Sequence, residues 1–130
     1  MEGKTMKRVI AIILMVLAGN CFADLGDYRL TKEDDAMFEV SLNDRCQMFK
    51  DMHKGAGGTE LEGDYIKTMC ILVAKIGVYQ RFDDIRALPY QAALKKVLAE
   101  SADNTTIMLN TMGIKAGSAA AKAYLGMNYE

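Results

Sequence analysis

Cysteine and histidine have the widest range of chemistry among the residue types here, and the chain has three cysteines and one histidine. Cys46 and Cys70 are much too far apart in the sequence for a CxxC redox motif. His53 is the single histidine, so a zinc site built from cysteine and histidine would lack ligands. His53 also lies near the predicted end of a helix, where a cation interacts favourably with the helix dipole. We expect neither a metal nor a cofactor.

Carboxylates and glycines offer two further candidate sites, and neither has the pattern that its chemistry requires. Asp83 and Asp84 are adjacent, and adjacent side chains on a helix point about 100° apart, so this pair suits a helix start better than a metal. The glycine cluster over residues 55–58 lacks the Gly-Lys-Ser/Thr ending of a phosphate loop and follows a predicted helix. The sequence shows no nucleophile paired with a base, so we expect a protein that is not an enzyme.

The amino terminus has the layout of a secretory signal peptide. Lys7 and Arg8 precede an apolar run over residues 9–18, and the small residues Cys21 and Ala23 stand three and one positions before the expected cut. The apolar run has ten residues, and roughly twenty are needed to cross a membrane. We therefore predict a cleaved leader, no membrane span, and a protein that works in the periplasm.

Export would leave one short domain with two cysteines. Removal of the leader, residues 1–23, leaves 107 residues over 24–130, which is enough for a single compact domain. Cys21 is lost with the leader, and an even pair of cysteines in an oxidising compartment favours a structural disulfide. We therefore predict a bond between Cys46 and Cys70.

The charge of the exported part is modest and negative. The whole chain carries −1, and loss of a leader with three cations and one acid changes this to −3. Binding to nucleic acid or to anionic lipid requires clustered lysine and arginine, which this sequence lacks. We therefore expect a protein partner, and neither nucleic acid nor a membrane surface.

Apolar residues recur at steps of three and four through most of the chain, which is the spacing of amphipathic helices. A first helix is predicted over residues 34–54, and a second from Asp64. The buried stripe of the first helix is expected to contain Phe38, Leu42, Cys46, Phe49 and Met52. In a hairpin of these two helices, the cysteines lie at matching heights on facing stripes.

The second half of the chain predicts two further helices. Because proline is tolerated in the first turn of a helix, residues 83–87 predict a short turn and residues 89–101 a helix. Asn104 is the expected cap of the last helix, and residues 126–130 are expected to form a loose tail. The last helix has a ridge of small residues, which predicts a close contact inside the domain or, as the alternative, a homodimer: Gly113, Gly117 and Ala121.

The expected fold follows from these helices. No alternation of period two is long enough for a strand, so we predict an all-α protein, a small bundle of four or five helices with a disulfide-linked helical hairpin. The chain has ten methionines, and most of them lie on predicted helix faces. We expect them to fill the core, with an adaptable protein-binding face as the alternative.

Several short segments resemble one known family. They are a helix ending in Asn-Asp-Arg-Cys-Gln, a glycine-containing connection, a helix with Gly-Asp-Tyr-Ile and Cys-Ile before a glycine, and a proline-led helix. The residues concerned are 43–47, 63–66, Cys70, Ile71, Gly77, Pro89, Leu94, Val97 and Leu98. Over residues 43–116 this pattern resembles the Rap/Tai immunity proteins of type VI secretion. The resemblance implies a small, periplasmic, disulfide-bonded helical protein that neutralises a secreted peptidoglycan amidase.

The mechanism that this resemblance implies is steric occlusion of a cell-wall hydrolase by one end of the protein. The candidate contact is the connection between the first two helices, with Gly57, Gly58, Glu60 and Glu62. A flexible connector with two solvated acids is the alternative interpretation of the same residues. Two other functions stay open: a periplasmic, chaperone-like stress protein that binds clients through its methionines, and an exported component of an envelope machine.

Overall fold

The structure, a computed structural model, describes residues 32–82 and 84–128. Four helices account for nearly all of these residues: α1 (Lys32–Gly55), α2 (Glu60–Phe82), α3 (Asp84–Glu100) and α4 (Asn104–Asn128). The predicted all-α fold is confirmed. The predicted leader and its cleavage site lie outside the described residues. Within the described residues, none of the helices combines the length and the apolarity that a membrane span needs.

Charges at both ends of α1 suit the helix dipole. Glu33, Asp34 and Asp35 lie in its first turn, and His53 and Lys54 lie in its last turn. The helix therefore begins and ends close to the predicted residues 34 and 54.

The predicted buried stripe of α1 is correct for most of its length. Phe38, Leu42 and Cys46 are buried, whereas Met52 is 62% exposed. Two successive steps of three residues, from Cys46 to Phe49 and on to Met52, rotate the stripe back by about 120° in total. Met52 consequently lies off the buried face, and its predicted place in the core is wrong.

α2 is the central helix of the bundle. It begins at Glu60, four residues before the predicted start at Asp64, because Thr59 caps it. It packs against each of the other three helices. Its buried residues therefore lie on most sides: Gly63, Tyr65, Ile66, Thr68, Met69, Cys70, Leu72, Ala74, Lys75, Val78 and Tyr79.

α3 begins earlier than the sequence predicts. The helix starts at Asp84 and contains Pro89, so the separate turn predicted over residues 83–87 is wrong for the described residues. Proline at this position removes one hydrogen bond to the carbonyl of Ile85, in the first turn of the helix. Ala87 and Tyr90 are buried on either side of it, and this burial offsets the lost bond.

Asp103 caps α4, and the predicted cap, Asn104, is its first helical residue. The Thr106 amide donates to Asp103 Oδ1 at 2.7 Å, and the Thr106 hydroxyl donates to Oδ2 at 2.8 Å. These bonds, with the amide bond as the larger cause, hold the pKa of Asp103 below its usual value. At its other end α4 continues to Asn128, so the tail predicted from residue 126 is helical for its first three residues.

Two glycines of α4, Gly113 and Gly117, lie directly against α2. A Cβ atom at Gly113 would stand 2.5 Å from Met69 Cβ, and one at Gly117 would stand 2.6 Å from Val73 Cβ. Only glycine allows two helix backbones to come this close. The predicted close contact inside the domain is confirmed, and the ridge does not face outward to form a homodimer.

Most described methionines are not in the core. Met69 is buried and Met112 packs against the core at its edge. The other five are between 50% and 74% exposed: Met37, Met48, Met52, Met108 and Met127. The prediction that methionines mainly fill the core is wrong, and the alternative of an exposed methionine face gains support from their positions.

Candidate functional site

The predicted disulfide is present between α1 and α2. The Cα atoms of Cys46 and Cys70 are 5.7 Å apart, and both residues are completely buried. The bond joins the two helices about two and a half turns from their connection, since Cys46 precedes Gly55 by nine residues. Helical hairpin and disulfide together position the candidate contact residues.

The connection, which we call the α1–α2 turn, consists of residues 56–59. The Gly57 amide donates to the Lys54 carbonyl and the Gly58 amide donates to the His53 carbonyl, both at 3.0 Å. Gly57 has a φ of 100°, a conformation that favours glycine. The turn therefore satisfies carbonyls at the end of α1 with its own amides and reverses the chain within four residues.

A reciprocal capping box fixes the start of α2. The Glu62 amide donates to Thr59 Oγ1 at 3.1 Å, and the Thr59 amide donates to Glu62 Oε1 at 3.0 Å. His53 Nε2 also lies 3.1 Å from the same carboxylate oxygen. The Thr59 amide, followed by the His53 ring, lowers the pKa of Glu62.

Gly58 lies against the ring of His53. A Cβ atom at Gly58 would stand 2.2 Å from the imidazole, so a larger residue would force the ring away from Glu62. His53 thus has the C-terminal helix position that the sequence predicts, and it also links the turn to the first residues of α2.

Two lysines of α1 hold the acidic start of α2. Lys50 contacts Asp64 closely and lies 2.9 Å from Glu60, and Lys54 also pairs with Glu60. Hydrogen bonds from Lys50 and then Lys54 lower the pKa of Glu60 to about 2. Hydrogen bonds to Asp64 and Glu60 raise the pKa of Lys50, against the opposing effect of its burial.

The structure brings the four predicted contact residues together, in different roles. Gly57 and Gly58 shape the turn, Glu60 is 61% exposed at its side chain, and Glu62 is only 23% exposed because it faces Thr59 and His53. Glu60 is therefore the acid that the turn presents to solvent. That a protein partner binds these four residues stays a prediction.

We expect the capping box to lose its contribution to the free energy of unfolding as the pH falls into the acid range. The pKa of Glu62 is lower in the folded protein than its ordinary value of 4.5, so its contribution is present above 4.5 and is lost as the pH falls below it. Urea unfolding at a series of pH values should show Glu62→Gln less stable by about 0.5–1 kcal/mol at pH 7 and a smaller loss on acidification. Glu100→Gln, which changes an exposed acid, is the matched control. An unchanged acid dependence in Glu62→Gln would contradict this assignment.

A second polar group, between α1, α2 and α3, was not found from the sequence. Arg86 donates to Asp35 Oδ2 at 2.5 Å and stacks 4.3 Å from the centre of the Tyr79 ring, whose hydroxyl donates to Asp35 Oδ1 at 3.2 Å. Lys75, buried in the middle of α2, reaches Glu39 at 2.5 Å. In the sequence, the one indication of this polar group was Lys75, a lysine on an otherwise apolar helix face. These pairs bind the helices together.

The outer side of α1 carries an exposed apolar stripe, the α1 apolar face: Met37, Val40, Met48 and Met52. Each is between 52% and 63% exposed. An open groove of about 620 Å³ runs along the first half of this face and is lined, among the described residues, by Ala36, Met37, Val40, Ser41, Asp44 and Arg45. Flexible methionine side chains adapt to differently shaped partners, so this face is a second candidate surface for a protein.

Comparison with known proteins gives one clear relative. No protein-family model matches the chain, and no solved structure matches it. The chain is 49% identical to the uncharacterized protein YffQ of Escherichia coli K12 over 125 residues, which cover 96% of this chain and 100% of YffQ. Identity at this level over nearly the whole of both chains means that the chain belongs to the same protein family as YffQ.

Proposed function

We propose that this protein is an exported binding protein that inhibits a secreted cell-wall hydrolase, an amidase, by inserting the α1–α2 turn into the enzyme's groove. The observation that carries the proposal is the rigidity of that turn. Four residues close it, a capping box and two lysines hold it, and a buried disulfide joins the helices behind it. It acts by binding and performs no catalysis.

Rigidity matters because binding requires the contact residues to be ordered. A segment that is already held in one conformation loses little conformational entropy when a partner binds, so more of the contact energy appears as affinity. The α1–α2 turn has this property, whereas a flexible connector would not. The resemblance to the Rap/Tai immunity proteins is consistent with such a role.

The charge of the protein supports the choice of partner. The part of the chain after the predicted leader carries −3, and Glu60, whose carboxylate pairs with Lys50 and Lys54, is exposed at the end of the hairpin. Enzymes that act on an anionic cell wall are often basic, and opposite charges accelerate encounter between proteins. The net negative charge of a small exported protein fits such an enzyme.

The test begins with the hydrolases that the host organism secretes. The purified protein should inhibit one of them at an equimolar ratio, and Glu60→Lys should weaken that inhibition about tenfold or more, because it reverses the charge next to the turn and removes the partner of Lys50 and Lys54. Glu100→Lys makes the same charge change at the end of α3 and should leave inhibition unchanged. Equal inhibition by both variants would rule out the turn as the contact, and the absence of any inhibited hydrolase would rule out the function.

The exposed methionines favour one second candidate, a chaperone-like protein that binds unfolded clients. Met37, Met48 and Met52 form an adaptable apolar surface of the kind that promiscuous binders use. In that case the protein should suppress the aggregation of unrelated unfolded proteins, and Met48→Lys should reduce this effect while Glu60→Lys should not.

A further inference from the structure

Exposed acids extend the α1 apolar face into one straight stripe. From its first residue to its last, the stripe advances by steps of four, three, four, four and three residues, which is the spacing along one side of a helix. It therefore runs along α1 for about 27 Å. We call it the acidic–apolar stripe, and its members in chain order are Glu33, Met37, Val40, Asp44, Met48 and Asp51, with Met52 at its end.

The acids of the acidic–apolar stripe are available to a partner. Glu33 and Asp44 are exposed, and neither has a hydrogen bond or an ion pair to another residue within 32–82 and 84–128. Asp51 is also exposed, and it accepts a hydrogen bond at 2.9 Å from the neutral amide of Gln47. The negative charge of this side of α1 is therefore not neutralised by the described part of the chain.

The neighbouring cations of α1 are occupied elsewhere. Arg45, at the edge of the acidic–apolar stripe, donates to the Met127 sulfur at 2.9 Å, which directs its guanidinium toward the end of α4. Lys50 and Lys54 pair with the acidic start of α2. A surface that complements the stripe must therefore supply cations together with apolar side chains.

The shape of the stripe favours a helix as the complementary element. A partner helix can contact a straight helical stripe through residues at every third and fourth position, as amphipathic helices do when they bind grooves. The small residues Ala36 and Ser41 lie beside Met37 and Val40 in the open groove, where they leave space for a partner's side chains. Flexible methionine side chains then adapt to those that enter.

Other occupants suit the stripe less well. Its acids repel anionic lipid and nucleic acid. A second copy of this chain offers acids and not cations on the same stripe. An extended peptide pairs with the free edge of a sheet, and residues 32–82 and 84–128 contain no strand.

We propose that the acidic–apolar stripe binds a cationic amphipathic helix of a partner protein. The apolar side of that helix packs on Met37, Val40 and Met48, and its lysines or arginines lie next to Asp44 and Asp51. One helix on one stripe buries less than the roughly 1,000 Å² of a stable interface, so the contact is reversible and transient. The surface is separate from the α1–α2 turn, and this binding does not depend on inhibition of a hydrolase.

Fluorescence anisotropy with two synthetic helical peptides tests the proposal on the product of the full-length gene. Both peptides are about 20 residues long, which matches the length of the stripe, and both carry leucine along one side. One has lysine beside the leucines, and the other has glutamate at the same positions. The lysine peptide should bind at least about tenfold more tightly than the glutamate peptide, and its affinity should fall as the salt concentration rises.

Substitutions on the stripe separate specific binding from attraction to any acidic protein. Asp44→Lys should weaken binding of the lysine peptide about tenfold or more, whereas Glu100→Lys, with the same change of net charge, should not. Val40→Asn removes an apolar contact at constant charge and should also weaken binding. Met108→Asn, an apolar-to-polar change at an exposed position of α4, is its control. All four positions are exposed, so circular dichroism should match the wild type.

Chemical-shift mapping by NMR locates the contact. Addition of the lysine peptide should shift amide signals within residues 33–52 and leave those of the outer side of α3 in place. Equal binding of the two peptides, equal weakening by Asp44→Lys and Glu100→Lys, or shifts confined to other helices would each overturn the proposal. Self-association of the wild-type protein through residues 33–52 would also overturn it, because the occupant would then be a second copy.

Discussion

Replacement of Gly117 by alanine is expected to destabilise the protein by about 2–3 kcal/mol, because the added methyl group has no space. Its Cβ atom would stand 2.6 Å from Val73 Cβ and 2.7 Å from the Cys70 carbonyl oxygen, and a carbonyl of a central helix cannot move aside cheaply. The change should be measured as a shift of the urea unfolding midpoint at constant m-value.

Gly126→Ala is the matched control for this substitution. Gly126 also lies in α4, but a Cβ atom there would meet no other atom within 4 Å. Alanine should stabilise this position by up to about 1 kcal/mol, because it favours the helix over the unfolded chain. If Gly117→Ala were as stable as Gly126→Ala, the close packing of α4 on α2 would be wrong.

Loss of the disulfide is expected to have an effect of similar or larger size. The bond closes a segment between residues 24 positions apart, and in the chain-entropy model this constraint on the unfolded state stabilises the protein by about 3 kcal/mol. Cys46→Ser should therefore lower the free energy of unfolding by about 2–5 kcal/mol. Reduction of the wild-type protein should lower its stability to thermal unfolding by the same amount.

Two further measurements test whether the effect comes from the disulfide bond itself. The Cys46→Ser/Cys70→Ser variant should be about as unstable as the single variant, because the first substitution already removes the bond. Titration of the denatured, unreduced wild-type protein should find no free thiol from this pair. Free thiols at Cys46 and Cys70 would refute the bond and reopen a redox or metal role.

The fold could be predicted from the sequence wherever one local pattern decides the structure. The helical periodicity, the charged ends of α1 and the glycine ridge of α4 each depend on residues within a few positions of one another. One error occurred where tertiary packing outweighs a local preference, and another where a step pattern was extended too far. Pro89 favours a helix start, but burial of Ala87 and Tyr90 extends α3 back to Asp84. Met52 continues a helical step pattern that has already rotated away from the core.

The candidate site was predictable in its position and not in its bonding. The glycine cluster and the nearby acids marked the end of the hairpin, because glycine and acidic residues are typical of a helix end and a helix start. The pairing of Glu62 with His53 depends on how two helices meet, and no local pattern specifies this. The same holds for Arg86 and Asp35, which are 51 positions apart in the chain and form a partly buried pair.

The central position of α2 has a consequence for local opening of the protein. α2 packs against each of the other three helices within residues 32–82 and 84–128 and is joined to α1 by a covalent bond, so it cannot detach while these helices stay folded. Its backbone hydrogens should therefore exchange with deuterated solvent only when the whole chain unfolds, whereas hydrogens in the first turn of α3 can exchange through smaller openings. The exchange rate of α2 thus reports the global free energy of unfolding.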